Sequence, residues 1–426
     1  MTAPRPRKKN IFLIGLNPFN RAKLETVTNA DQYNFHGLLE EPHHYDVPGM
    51  LAEAEKELRA FPGPIDAIVG YADFPISTML PILCPKFGLR TPSLESVLKC
   101  EHKYWARLEQ KRVVPDCIPR FAPVDPFDEN VFSKIPFSFP FWIKPIKSCA
   151  SYLGFRVHNE KEFRHAISEN RKHINKLGEP FNFVLRHARL PSKVVSVDGN
   201  HCIAEEIISG RQCTLEGCVF EGVVSYHGVV DSIRELNRSS FARYEYPSRL
   251  PRPVQERMGK IGAKVLKHIG FDNSGFNMEF FWDERHDRIW LLEINTRVAQ
   301  HHSDLFEKID GTTNHEVPVQ IGLGNRPNIP HGTGPFHRAA TFFLRTYRNG
   351  IVAEVPSAEE IGAITKRFPG TIVQPQVQPG TQLSDLHEQD SYSYALAIVY
   401  MGESSQKQLL ANWRQCARLL HFRISE

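Results

Sequence analysis

The sequence predicts an α/β protein built in three stretches: a small parallel layer first, a mixed middle, and a smaller α+β unit at the end. Three observations carry this prediction. Strand-length apolar runs alternate with helix-length amphipathic segments near the start. A hairpin with a tryptophan on each arm, Trp282 and Trp290, sits in the middle. The length of 426 residues accommodates about three units at ~150 residues each.

The first stretch, residues 1–100, reads as a strand at 11–16, a helix at 50–60 and a second strand at 65–69. Gly15, Leu16, Asn17, Pro18 and Phe19 follow the first strand, so no G-x-G-x-x-G dinucleotide turn is present. The middle stretch spans 101–335. Residues 99–111 look helical, and 140–157 look like two strands around a tight turn from Lys147 to Tyr152. A helix is expected at 160–177, and strands around 201–208 and 214–225. Val254, Met258, Ile261, Val265 and Ile269 recur at helical spacing, and Gly270 supplies the stop. Residues 276–294 form the hairpin. In the last stretch, 336–426, strands are expected near 339–345 and 395–400. A closing helix there places Leu409, Trp413, Cys416 and Leu420 on one face.

Composition excludes several classes of function. Hydrophobic residues make up 41% and charged residues 23%, as in a folded globular protein. The apolar runs are far shorter than the ~20 residues of a membrane span. No apolar segment follows the basic start Arg5, Arg7, Lys8, Lys9, so a cytoplasmic protein without a secretory signal is expected. A net charge of +4 gives no reason to invoke nucleic acid. The 8 cysteines include no C-x-x-C pair and read as free thiols.

The hairpin holds the sharpest chemistry. Alternation puts Asn277, Glu279 and Phe281 on one face of its first strand, and Leu291, Glu293 and Asn295 on one face of its second. If Trp282 pairs with Trp290, the same register sets Glu279 opposite Glu293. Like charges placed so are destabilising unless something neutralises them. A divalent cation would do so, and two carboxylates with the Asn295 carbonyl suit Mg²⁺, which keeps few protein ligands and lets phosphates complete its shell. The competing reading is a solvated face with two unrelated glutamates.

A matching anion site lies upstream. Lys144 ends a strand before a turn of small residues, Ser148 to Ser151, whose amides and hydroxyls suit a phosphate. Lys103 is a second candidate phosphate contact. In the segment A-E-E-I-I-S-G-R-Q (204–212), a strand ends in adjacent acids and then an apolar pair. That arrangement suits an adenine, with Ile208 covering its face. Each lysine and each acid also fits an ordinary solvent-facing residue.

In order, Lys103, I-K-P (143–145), Ser148 to Gly154, A-E-E-I-I-S-G (204–210), F-N-M-E-F (276–280) and L-L-E-I-N-T-R (291–297) resemble the ATP-grasp superfamily. The resemblance covers about residues 101–324 and points to its carboxylate–amine ligases. It implies an ATP-grasp fold at 101–335 with a lid subdomain at about 115–208, a Rossmann-like pre-ATP-grasp domain at 1–100, and a C-terminal accessory domain at 336–426. It further implies that Lys103, Lys144, Ser148, Ser151, Glu205, Glu206, Ile208 and Gln212 bind ATP. Glu279, Glu293 and Asn295 would hold Mg²⁺, with Mn²⁺ as the alternative ion, and Arg297 would be catalytic. Two departures stand out. The lid turn carries only Gly154, and Gln212 stands where many members have an acid for the ribose.

The implied activity is ATP-driven ligation: a carboxylate becomes an acylphosphate and is joined to an amine, with ADP and phosphate released. Arg234 and Arg238 are candidates to clamp a substrate carboxylate, and His301 or His302 to accept the amine's proton. The expected partners are these two small molecules, without nucleic acid or membrane, and a homodimer is compatible. The alternatives are a biotin-carboxylase-like or purine-pathway enzyme, or an ATP-binding regulator without turnover.

Overall fold

A computed structural model describes residues 7–39, 45–148, 152–235, 240–386 and 393–425. Ser151 and Arg238 lie outside the described residues.

Near the N-terminus, β1 (Lys9–Ile14) runs between β2 (Tyr33–Leu38) and β3 (Ala67–Gly70), all parallel. The helix Val47–Ala60 buries Leu51, Ala54 and Leu58 at helical spacing. The opposite face of this sheet packs Ile11, Leu13 and Val69 against Val317 and Ile321, which joins the first stretch to the middle one.

A second, antiparallel sheet follows: β4 (Phe121–Val124), β5 (Phe141–Pro145), β6 (Phe155–Val157) and β7 (Cys202–Glu206), in spatial order β4-β7-β5-β6. It lies within the span expected for a lid.

The third sheet is the largest. It contains β8 (Arg211–Phe220), β9 (Val223–Arg234), β10 (Phe241–Tyr246), β11 (Ser274–Asp283), β12 (Arg288–Asn295) and β13 (Arg338–Thr346). After β14 (Ile351–Glu354), β15 (Ile372–Pro375) and β16 (Tyr394–Glu403) complete it, in the order β12-β11-β8-β9-β10-β13-β16-β15. The chain closes with β17 (Arg423–Ser425), paired with β14. Among the described residues, β13, β15 and β16 of the last stretch join this sheet rather than forming one of their own. The boundary expected near 335 falls inside one continuous hydrogen-bonded sheet, because β13 pairs with β10.

The helix Arg252–Ile269 lays Val254, Met258, Val265 and Ile269 on Phe276, Met278 and Phe280, and ends at Gly270 with φ 69°. That left-handed stop is the one read from the sequence.

Three local expectations are corrected. The helix expected at 99–111 is two helices, Leu94–Glu101 and Lys103–Val113, broken at buried His102. The His102 ring accepts from the Trp105 amide and caps the second helix. The helix expected at 160–177 is likewise two, Glu160–His173 and Asn175–Leu185. The strand expected at 214–225 turns over at Glu221 and Gly222, both with positive φ, and pairs Phe220 with Val223. A two-residue turn of this kind matches the natural twist of a hairpin.

Candidate active site

Glu279 lies directly opposite Glu293 across β11 and β12, and Asn277 opposite Asn295. The tryptophans are offset by one residue: Trp290 faces Phe281, and Trp282 faces Ile289. A bulge reconciles the two halves of the hairpin. The register shifts between Glu279 and Phe280, where Leu292 is the extra residue on β12. Leu291 thereby faces the core while Glu293 stays beside Glu279.

A buried arginine holds the bulge. Arg107, on the helix Lys103–Val113, donates to the Leu291 carbonyl at 3.1 Å and the Leu292 carbonyl at 2.7 Å. Its Nε pairs with Glu205 of β7 at 2.5 Å. Glu205 also pairs with Lys144 Nζ at 2.7 Å. The Glu205 carboxylate is thus taken up by two cations. Burial works to raise its pKa, but Arg107 and Lys144 outweigh burial and hold it down at about 2. Glu206 is instead half-exposed and paired with Arg120 at 2.5 Å. Ile208 follows in the short link to β8.

Lys103 begins its helix because the break at His102 turns the chain there. Its amide reaches the Ile146 carbonyl, its Nζ lies 2.9 Å from Glu293, and it donates to the Ser148 carbonyl at 3.2 Å. The two facing glutamates therefore differ. Burial and then Glu293 push the Glu279 carboxyl up. Burial also works against ionised Glu293, but Lys103 and Lys144 overcome it and leave that carboxyl below its ordinary value.

Gln212 donates to Glu279 at 3.0 Å and accepts from Arg234 Nε at 3.0 Å. Asn295 turns its Nδ2 to Asn277 at 3.2 Å and to Glu279 at 3.4 Å, which leaves its carbonyl oxygen as the atom to offer a cation. Arg297, just past β12, pairs with Asp73 at 3.2 Å. Asp73 lies beyond β3, and burial of its carboxyl is overcome by Lys147 and Arg297, so that it stays well below the usual range. Lys147 also pairs with buried Glu101, which accepts from Thr296 Oγ1 at 2.9 Å.

A family model described as "Carbamoyl-phosphate synthase L chain, ATP binding domain" matches residues 245–328, the segment that carries Glu279 to Arg297. The L-amino acid ligase from Bacillus licheniformis superposes with TM-score 0.72 over 99% of this chain and 100% of that one, at 14% identity. The chain has the ATP-grasp fold. Phosphoribosylglycinamide synthetase from Anaerococcus prevotii shares it, with TM-score 0.64, 13% identity, and 98% and 100% of the two chains covered. So does the biotin carboxylase domain of the Hydrogenobacter thermophilus 2-oxoglutarate carboxylase, a dimer in complex with MgADP, ADP and bicarbonate. There the TM-score is 0.64 at 15% identity, over 99% of this chain and 92% of that one. A comparison of the sequence with curated proteins finds no match.

Within this ATP-grasp frame the two histidines have different surroundings. His302 is buried and bound to Glu216 at 2.8 Å. His301 packs between Tyr244 and Phe343, and burial pushes its ring down to about 4. A ring held that low is a weak proton acceptor near pH 7, which counts against His301 in the expected role. Asp73, Glu101, Arg107 and Lys147 were not singled out as site residues from the sequence. No periodicity marks them; only the D-F-P and I-K-P-I-K contexts of Asp73 and Lys147 hint at tight turns. Among the described residues, no helix is long and apolar enough to cross a membrane.

Proposed function

We propose that the chain is an ATP-dependent ligase that activates a carboxylate as an acylphosphate and joins it to an amine, releasing ADP and phosphate. The observation that supports this best is the facing pair Glu279 and Glu293, with Asn295 beside them and Lys103 on the far side of Glu293. Two half-buried carboxylates in direct opposition, one of them held above its ordinary value, suit a cation. Their all-oxygen donor set suits Mg²⁺. Held by Glu279, Glu293 and Asn295, the ion would supply positive charge against the phosphates.

The chain's own residues account for the rest. Lys103 and Lys144 would lie along the phosphates, and Ser148 would border them. The backbone from Glu206 to Ile208 would receive the adenine, and Gln212 the ribose. A substrate carboxylate oxygen attacks the γ-phosphorus and the β–γ bridging oxygen leaves on ADP. The amine nitrogen then attacks the acyl carbon, phosphate leaves, and the nitrogen gives up a proton. Arg297, oriented by Asp73, would stabilise the charge that builds on the transferring group and on the tetrahedral oxygen. Arg234 would meet a substrate carboxylate. The partners are thus a small acid and a small amine, and a homodimer in a cytoplasmic setting is consistent with this reading.

The test is Mg²⁺-dependent phosphate release from ATP across acids and amines, singly and in pairs, with bicarbonate in the panel. Release that needs one acid–amine pair and vanishes in Glu293→Gln and Arg297→Ala establishes the ligase. Release with bicarbonate alone would replace it by a carboxylating reading. ATP binding without release for any pair would favour a regulator.

A further inference from the structure

Three strands of the large sheet bring polar side chains into one lateral row. The β8–β11 register sets Glu216 against Asn277, and the β11–β12 register sets Asn277 against Asn295. Side chains aligned in this way share a face and touch their cross-strand neighbours. The next row on that face holds Thr214, Glu279 and Glu293. The carboxylate pair thus has a second polar row beside it, which begins at Glu216.

Hydrogen bonds run along this row in one direction. Asn295 Nδ2 donates to Asn277 Oδ1 at 3.2 Å, and Asn277 Nδ2 donates to Glu216 Oε1 at 3.0 Å. Glu216 sets that direction. A carboxylate only accepts, so the amide that faces it must present its nitrogen. Asn277 is then left with its oxygen toward β12, Asn295 answers with its own nitrogen, and the Asn295 carbonyl oxygen is kept out of the row. Glu279 accepts from the same Asn295 nitrogen at 3.4 Å, a longer contact that agrees with this orientation.

Glu216 is itself held in place. It is 0% exposed, and Asn277 is 3% exposed. The Ala299 amide donates to Glu216 Oε1 at 3.2 Å, and His302 Nδ1 lies 2.8 Å from the same oxygen. Asn314 Nδ2 donates to the other oxygen at 3.3 Å and to the Ala299 carbonyl at 2.9 Å. The chain on either side of Arg297 therefore ends on one carboxylate: Asn295 through Asn277, and Ala299 directly. A buried acid with so many partners in the sheet and in the segment after it resists turning, and so do the amides it orients.

We propose that Glu216 is a positioning residue: through Asn277 it turns the Asn295 amide so that its carbonyl oxygen, and not its nitrogen, meets the metal. This role rests on the Mg²⁺ reading given above and deepens it. Calorimetric titration of ADP into the full chain, once with Mg²⁺ and once with EDTA, is the test. Glu216→Gln keeps the shape but offers a donor, so Asn277 and then Asn295 can turn over. Asn277→Ala cuts the row, leaves Glu216 its other partners, and carries the test alone if Glu216→Gln does not fold. Each variant should weaken ADP binding about tenfold or more with Mg²⁺, as loss of a metal ligand's hydrogen-bond partner does, and leave it unchanged with EDTA. Combined with Asn295→Ala, which removes the ligand itself, neither should weaken binding further. Full affinity with Mg²⁺, an equal loss with Mg²⁺ and with EDTA, or a further loss on top of Asn295→Ala would overturn the role. Wild-type ADP binding that ignores both Mg²⁺ and Asn295→Ala would instead overturn the metal reading, and the role with it, so the two failures are distinguishable.

Discussion

Glu279 and Glu293 occupy one cross-strand pair, yet their carboxyls are displaced in opposite directions, Glu279 up and Glu293 down. The asymmetry comes from Lys103, which reaches Glu293 at 2.9 Å. One member of the pair is thus harder to ionise than the other.

Glu279 should therefore couple metal binding to proton release. Its folded value lies above its unfolded one, so the metal-free fold loses stability as pH rises through the carboxylate range. Mg²⁺ affinity should rise with pH over that window, by up to about tenfold per pH unit. Glu279→Gln should flatten this slope and raise the thermal midpoint of the metal-free protein. Metal titrations at several pH values and a melting curve check both; a slope that survives the substitution would refute the assignment.

Arg107 should matter to folding more than to binding. It is 3% exposed and joins Glu205 to the bulge carbonyls. Removing one partner of a buried ion pair costs about 3–5 kcal/mol. Arg107→Met should show a loss of that order in urea unfolding, and Arg107→Met with Glu205→Gln should lose less than the two changes summed. Strict additivity would mean that the pair is not coupled.

Asp73 orients Arg297 from another part of the fold. Asp73→Asn should lower kcat about 10–100-fold with little change in the KM for ATP, a smaller effect than Arg297→Ala at about 10²–10³-fold. An Asp73→Asn enzyme with full kcat would place Arg297 under some other control.

Buried histidines should govern acid stability. Burial holds His102, His227 and His301 each down at about 4. The unfolded chain binds these protons first, so stability should rise from about pH 4 to 6.5 and level off above that. His301→Asn should make the slope shallower while leaving the pH profile of turnover between 6 and 8 unchanged. A profile that moves with His301 would restore it as the proton acceptor.

What was legible in the sequence was local. Glycine at 270 ended a helix because that depends on neighbours in the chain, and Glu279 does face Glu293, although through the bulge at Leu292 and not through the paired tryptophans the expectation assumed. The offset of Trp282 from Trp290 was not legible, since the bulge that causes it is held by Arg107, far away in sequence. The same holds for Asp73 with Arg297 and for Glu101 with Lys147, which meet only after sheets and helices pack. The break at His102 also escaped the periodic reading, because residues 99–111 keep helix-forming composition across it.

The extra residue at Leu292 divides β12 into two phases. Toward the turn, Ile289 and Leu291 answer to the core; toward the other end, Glu293 and Asn295 answer to the open face. With the seam pinned by Arg107, insertions or deletions in the exposed tip between Asp283 and Arg288 need not propagate to the carboxylates. The hairpin is thereby insulated: its tip is free to diverge while the facing carboxylates stay fixed, and a lineage can explore new tips without disturbing that pair.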